Sequence, residues 1–364
     1  MIQQLPLTVK RSIELLGLVL LGFVIVQFQD VIMPILMALV ASIALLPIYR
    51  FLIRKKIPNS IAISLTLLLM IVVLVVIVVL ISAQLAPLIE NFAIIKKNVV
   101  NHINVISDWL SNKTGISTVE QTQIIQKQTN SFIDSAGDYL NNAMGSVSSA
   151  LVFFGLFPIY TFLILYYKNM LRKFLLMWFQ GDESQQVSET LKSVESIIQS
   201  YIIGLLIQLG YMTVLLGGTL LLFGIDYAIL IAIIFAVLNL IPYIGALVGN
   251  VIGVLLTLSS SPDLNPVFTV LIIITVVQLL DNNILMPYIV GSKIRINALV
   301  SLVGVFIGGA LAGVSGMFLS LPVMAVFKIV FDHTEQFKKW GILFGDDTPI
   351  TSPKWIKIKK RNDY

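Results

Sequence analysis

Cysteine is absent from the chain, histidine occurs only at His102 and His333, and charged residues fill 12% of the 364 positions. The missing thiols exclude disulfides, thiolate metal sites and cysteine nucleophiles. No G-x-x-x-x-G-K-[ST] loop is present, which speaks against nucleotide-driven pumping. Apolar residues take the place of charge: they make up 57% of the chain, where an ordinary soluble domain has roughly half apolar and about a quarter charged residues. Such a composition belongs in a bilayer. Uncharged runs extend from Ile57 to Ile89, Tyr139 to Tyr167, Ser196 to Ile225, Tyr227 to Pro262 and Ile296 to Phe327, each longer than the roughly 20 residues that cross a hydrocarbon core.

The first apolar run, Leu15 to Gln29, follows Lys10 and Arg11 but ends in QFQD without a small-residue cleavage site. It therefore reads as a retained first span rather than a signal peptide. The net charge of +5 reports orientation rather than nucleic acid, because the cations sit beside the ends of apolar runs. They cluster at Lys10 and Arg11, Arg50 to Lys56, Lys168 to Lys173, Lys293 and Arg295, and from Lys328 to Arg361. The positive-inside rule then predicts both termini in the cytoplasm.

Spans one to five are expected at Ile13–Phe28, Val31–Tyr49, Ile61–Ala83, Leu151–Tyr167 and Tyr201–Phe223. Residues 1–86 carry the first three, 149–200 the fourth and a charged connection, 201–331 a transport core, and 332–364 a basic cytoplasmic tail. Between them, 87–148 forms an extracytoplasmic segment in which Leu88, Phe92, Ile95, Val99, Ile103, Ile106 and Leu110 recur at helical spacing. A second stripe, Ile133, Ala136, Leu140, Met144 and Val147, leads into the fourth span. The pair reads as a helical hairpin packed on itself or as a subunit contact. His102 has no cysteine or carboxylate at ligand spacing, so no metal site is expected there.

Two later runs are interrupted. Tyr227 to Ser259 is broken by NLIPYIG, Asn239 to Gly245, where Pro242 removes a helix donor; Ala298 to Phe327 is broken by GGALAGVSG, Gly308 to Gly316. Halves of about 13 residues, at 1.5 Å each, are too short to cross. A long span precedes each broken run, Tyr201–Phe223 and Val267–Tyr288, so the C-terminal half reads as an inverted repeat of the kind transporters use. The expected fold is an all-α polytopic membrane protein of six full spans plus two re-entrant or broken helical hairpins, eight hydrophobic segments in all. The alternative makes each broken run a full crossing. Hairpins place Ser259–Asn265 outside and Gly291–Asn297 inside; only the second loop carries Lys and Arg, which favours hairpins.

The stretch LLDNNILMPYIVG, Leu279 to Gly291, puts Asp281 in an apolar run. An intramembrane carboxylate is a functional candidate by default. Asp281 would bind a proton or cation, or accept hydrogen bonds from a polyhydroxylated solute, with Asn282 and Asn283 as further donors and acceptors. The alternative is an interfacial ion pair with Lys293 and Arg295. Unwound backbone beside Asn239, Pro242 and Tyr243 must face protein or a cavity, and Gln208 and Gln278 are faint equivalents in the two units. Ser315 in GVSG has the setting of an intramembrane serine protease nucleophile, but no histidine lies in any span to serve as its base. The tail segment KWIKIKKR is suited to anionic headgroups.

With NLIPYIG, DNNILMPYIVG and GVFIGGALAGVSGMFLSLPVMAVFK in view, the chain resembles the autoinducer-2 exporter (AI-2E) family of permeases. The resemblance is strong from Ser200 to Phe331 and covers the whole arrangement of spans. It implies a bacterial inner-membrane permease, a homo-oligomer with the pentamer as one option, and members linked to quorum-signal export or to sodium/proton antiport. Positions carried over are Pro242, Tyr243, Gly245, Asn283, Pro287, Gly291, Gly308, Gly309, Gly313, Gly316 and Pro322. Asp281 stands where many relatives show glutamate, and Asn297–Ala298 replaces a frequent His–Pro pair, so a proton relay through that histidine is absent. The expected path is lined by Asn239 to Gly245, Gln278, Asp281 to Asn283 and Gly308 to Gly316. Expected partners are a small polar solute, the lipid bilayer and further copies of the chain, with no cofactor, no metal and no nucleic acid. A cation/proton antiporter using Asp281 and a non-transporting scaffold are the competing functions.

Overall fold

The computed structural model describes residues 6–90, 97–98, 100–101, 147–260, 263–286, 296–334 and 337–345. Most of the outer segment, including His102, the positions Pro287, Gly291 and Ser292, and the tail beyond Gly345 lie outside the described residues. Those described are helical, with no strand among them. The helices are α1 (Leu7–Gln27), α2 (Gln29–Arg54), α3 (Asn59–Glu90), α4 (Val147–Met177), α5 (Asp182–Leu222), α6 (Ala228–Leu238), α7 (Ile244–Ser260), α8 (Asn265–Leu280), α9 (Ala298–His333) and α10 (Lys338–Phe344). A π-helical turn, Asp281–Leu285, continues α8.

By length and composition, five of these could cross a membrane: α2, α3, α5, α8 with its π turn, and α9. Leu18, Leu21 and Phe23 of α1 and Val75 and Val79 of α3 lie exposed, as they would against lipid. The fourth span begins close to its expected start but runs on as helix to Met177, beyond the Lys168–Lys173 cluster. The charged connection is thus mostly helix, interrupted at Gly181, which takes a positive φ of 56°.

Both interrupted runs fold back on themselves. In the first, a Cβ added at Gly245 would lie 2.2 Å from the Leu238 carbonyl oxygen, one at Gly249 2.5 Å from the Phe235 ring, and one at Gly253 3.4 Å from the Ile231 side chain. Contacts that step backward along α6 as they step forward along α7 define an antiparallel pair. The turn passes through Pro242 and through Tyr243, whose φ is 66°. In the second, the backbone leaves helical geometry at Ala312 (φ −152°) and Gly313 (φ 57°). Gly308 then abuts the Gly316 carbonyl at 2.3 Å and Gly304 the Met324 side chain at 3.0 Å, each measured from an added Cβ. In a straight helix residues eight apart are about 12 Å distant, so α9 is two arms, 298–311 and 314–333, bent at its glycine.

Helices in lipid gain nothing from hiding apolar surface and associate through close packing instead. The largest buried cluster joins α5 (Met212, Leu216, Leu220), α6 (Leu230, Ile231, Phe235) and α8 (Val270, Ile274). A second joins α2 (Met33, Val40), Ile198 of α5 and Ala312 and Leu319 of α9. The 41 residues of α5 extend about 60 Å. That one rod packs the first hairpin with its C-terminal half and the second with its N-terminal half. α10 closes the second hairpin: the Asn297 side chain caps α9 at Val300 N (2.8 Å) and donates to the carbonyls of Leu343 (2.6 Å) and Gly345 (3.1 Å). At the other foot, the Phe331 ring meets Phe337 at 5.7 Å and Phe344 at 5.3 Å.

Candidate functional site: a carboxylate cavity at the first hairpin turn

Asp281 stands where α8 gives way to the π turn. Such turns carry one residue more than an α-turn, displace the side chains that follow, and are frequent at functional sites. Its carboxylate is 1% exposed. Three neutral donors hold it. Gln208 Nε2 donates to Oδ2 at 2.9 Å, Tyr211 Oη donates to Oδ1, and Asn239 Nδ2 makes a longer 3.4 Å contact with Oδ2. Among the described residues no lysine or arginine pairs with it.

A cavity of about 370 Å³ opens beside this carboxylate, walled by α5, the hairpin turn and α8. α5 contributes Tyr201 and Gln208, the turn Asn239, Pro242 and Tyr243, and α8 with its π turn Gln278, Asp281, Asn282 and Met286. The buried hydroxyl of Tyr201 and the buried side-chain carbonyls of Gln208 and Gln278 have no hydrogen-bond partner. Each such group costs on the order of 1–3 kcal/mol when left unpaired. All three belong to residues of the same cavity wall, so a bound solute or water is what would satisfy them. The Gln278 amide nitrogen is engaged, donating to Asn282 Oδ1 at 3.2 Å.

Asn239, Pro242, Tyr243, Gln278, Asp281 and Asn282, anticipated from the sequence, thus meet at one place. Gly245 stands behind the wall, where its missing Cβ lets the chain cross Leu238 and Asn239. Asn283 turns away and donates to the Leu279 carbonyl at 2.8 Å on an exposed face. Pro287 and Gly291 lie outside the described residues. Gly308, Gly309, Gly313 and Gly316 form the bend and arm contact of the second hairpin and do not wall this cavity. Sequence reasoning gave Tyr201 and Tyr211 no role and gave Gln208 only a formal one. Their spacing, seven residues and then three, is the available signal, because it places all three on one helical face.

Several apolar crossings, two helices that fold back on themselves and a buried polar cavity at one of the turns define a multi-pass membrane protein of the transporter kind. Residues 15–336 match the AI-2E family transporter profile, and the chain belongs to that family, whose members are transport proteins rather than enzymes. It is 27% identical to YrrI of Bacillus subtilis over 84% of this chain and 87% of that one. It is 26% identical to YueF of the same organism over 84% and 85%. Both are named as transport proteins. It is 22% identical to the AI-2 transport protein TqsA of Escherichia coli, over 92% of this chain and 96% of TqsA.

Proposed function

We propose that the chain is an exporter of a small polar solute, working by alternating access, with the Asp281 cavity as its binding site. The observation that carries this reading is the set of three unpaired buried polar atoms around one cavity beside a buried carboxylate. Two of the three are acceptors only and the carboxylate is a third acceptor, so the site suits a ligand rich in hydroxyl donors. The volume falls near the lower end of the range for small-molecule pockets, about 300–1,000 Å³. Autoinducer-2 is the first candidate, on the strength of TqsA's name. In this reading 201–331 is the moving core. The first hairpin enters the bilayer from outside and the second from the cytoplasm, in an inner membrane with both termini inside. The arms of the first, 11 and 17 residues, measure about 16 and 25 Å, short of a hydrocarbon core of about 30 Å. Copies of the chain assemble as a homo-oligomer.

A second reading has its own support. Asp281 has neutral hydrogen-bond partners and no cationic one among the described residues, so a proton or sodium ion would supply the missing countercharge of a cation/proton antiporter. Flux in proteoliposomes separates the two. Autoinducer-2 export that falls at least tenfold in Asp281→Asn, with no sodium-driven pH change, supports the solute exporter. A sodium-dependent pH change that disappears in the same variant supports the antiporter. Silence in both assays with well-folded protein leaves a non-transporting scaffold.

A further inference from the structure

A second cavity, of about 350 Å³, lies between α2, α4 and the N-terminal half of α5. It shares no wall residue with the Asp281 cavity. Its surface changes character along two helices in parallel. On α2 it runs from Leu39 through Ile43 and Leu46 to Arg50; on α4 it runs from Ile164 to Lys168 and Arg172. Steps of three and four residues keep each series on a single helical face. Lys192 of α5 adds a fourth cation.

These cations are positioned more than they are neutralised. Lys168 Nζ donates to the Leu165 carbonyl at 3.2 Å and sits 3.9 Å from the centre of the Tyr49 ring. Arg172 Nη2 donates to Ser188 Oγ at 3.0 Å. The one carboxylate in the wall, Glu195, is 2.6 Å from Arg50. Four cations facing one carboxylate leave the mouth positive. Just beyond it, Phe174 in the last turns of α4 and Trp178, the residue after that helix, are 55% and 73% exposed, with ring centres 6.0 Å apart. Exposed aromatics beside lysines and arginines mark headgroup depth.

We infer that this cleft binds an anionic phospholipid of the surrounding leaflet, its phosphate among Arg50, Lys168, Arg172 and Lys192 and an acyl chain along the apolar α2–α4 slot. A free anion would leave that slot empty, whereas a zwitterionic lipid would fill the slot but cancel its phosphate charge at the mouth. Basic pockets between transmembrane helices are the usual receptors for acidic headgroups. The lipid would brace α2 and α4 against α5, the helix that also carries Gln208 and Tyr211.

Native mass spectrometry of the purified full chain, with phosphatidylglycerol or phosphatidylcholine added at equal concentration, tests the assignment. The wild type is expected to retain phosphatidylglycerol in preference, and thermal unfolding to shift upward with it alone. Each surface cation contributes about fivefold to acidic-lipid affinity, so Lys168→Gln/Lys192→Gln should weaken retention roughly 30-fold. Lys55→Gln, off the cleft, should change nothing. Equal retention of both lipids by the wild type overturns the proposal whatever the variants do. So does an undiminished preference in a folded double variant. An equal thermal shift from glycerophosphoglycerol, which has the phosphate but no chains, would reassign the cleft to soluble anions.

Discussion

At the scale of single residues, the two tyrosines of α5 make opposite demands. Tyr211 donates to Asp281, so Tyr211→Phe leaves one carboxylate oxygen short of a partner and should cost about 1–3 kcal/mol of stability. Tyr201 has a buried hydroxyl with no partner. Tyr201→Phe is therefore expected to leave thermal stability unchanged or slightly raised while increasing KM for the transported solute about fivefold, the equivalent of one hydrogen bond. Thermal unfolding alongside flux would show whether stability and affinity separate in this way; parallel losses in both would remove Tyr201 from the site. Asp281 was legible in the sequence because a carboxylate amid LLDNNILM stands out. Two of its partners were not, since Gln208 and Tyr211 lie some 70 residues upstream, and nothing in a single sequence says which faces of two distant helices meet.

At the scale of elements, each hairpin depends on glycine at a point of backbone contact. An added Cβ at Gly245 would lie 2.2 Å from the Leu238 oxygen, so Gly245→Ala must force the hairpin open at its turn, at a cost of about 1–3 kcal/mol or more. Gly210, in α5, meets nothing within 4 Å, and Gly210→Ala should be neutral or stabilising by up to about 1 kcal/mol. Unfolding midpoints of the two variants check the contrast. Pro242 and the glycine-rich centre of α9 made the interruptions visible in the sequence. The fold-back itself was less visible, because two short arms add up to one full crossing and composition is the same either way. The four-residue spacing of Gly245, Gly249 and Gly253 also carried a signal of close packing that went unread. The π turn at Asp281 left no trace, since its geometry comes from the packing around it.

For the whole molecule, orientation is the quantity to measure. If the hairpins enter from opposite sides, as proposed, a single cysteine at Ser260 should react with an impermeant maleimide from outside and one at Ser292 should not; reversed labelling would return the chain to eight crossings. The cysteine-free sequence makes wild type the blank. The membrane character could be read from composition, whereas the sharing of α5 between two packing clusters emerged only in three dimensions. The clamp around Asn297 has a mechanical implication. Because Asn297 and Phe331 both grip α10, the second hairpin is a closed ring whose feet cannot part, and its bend can travel only if the ring tilts as one piece. A load applied at Gly345, where the described clamp ends, would pull on both arms together.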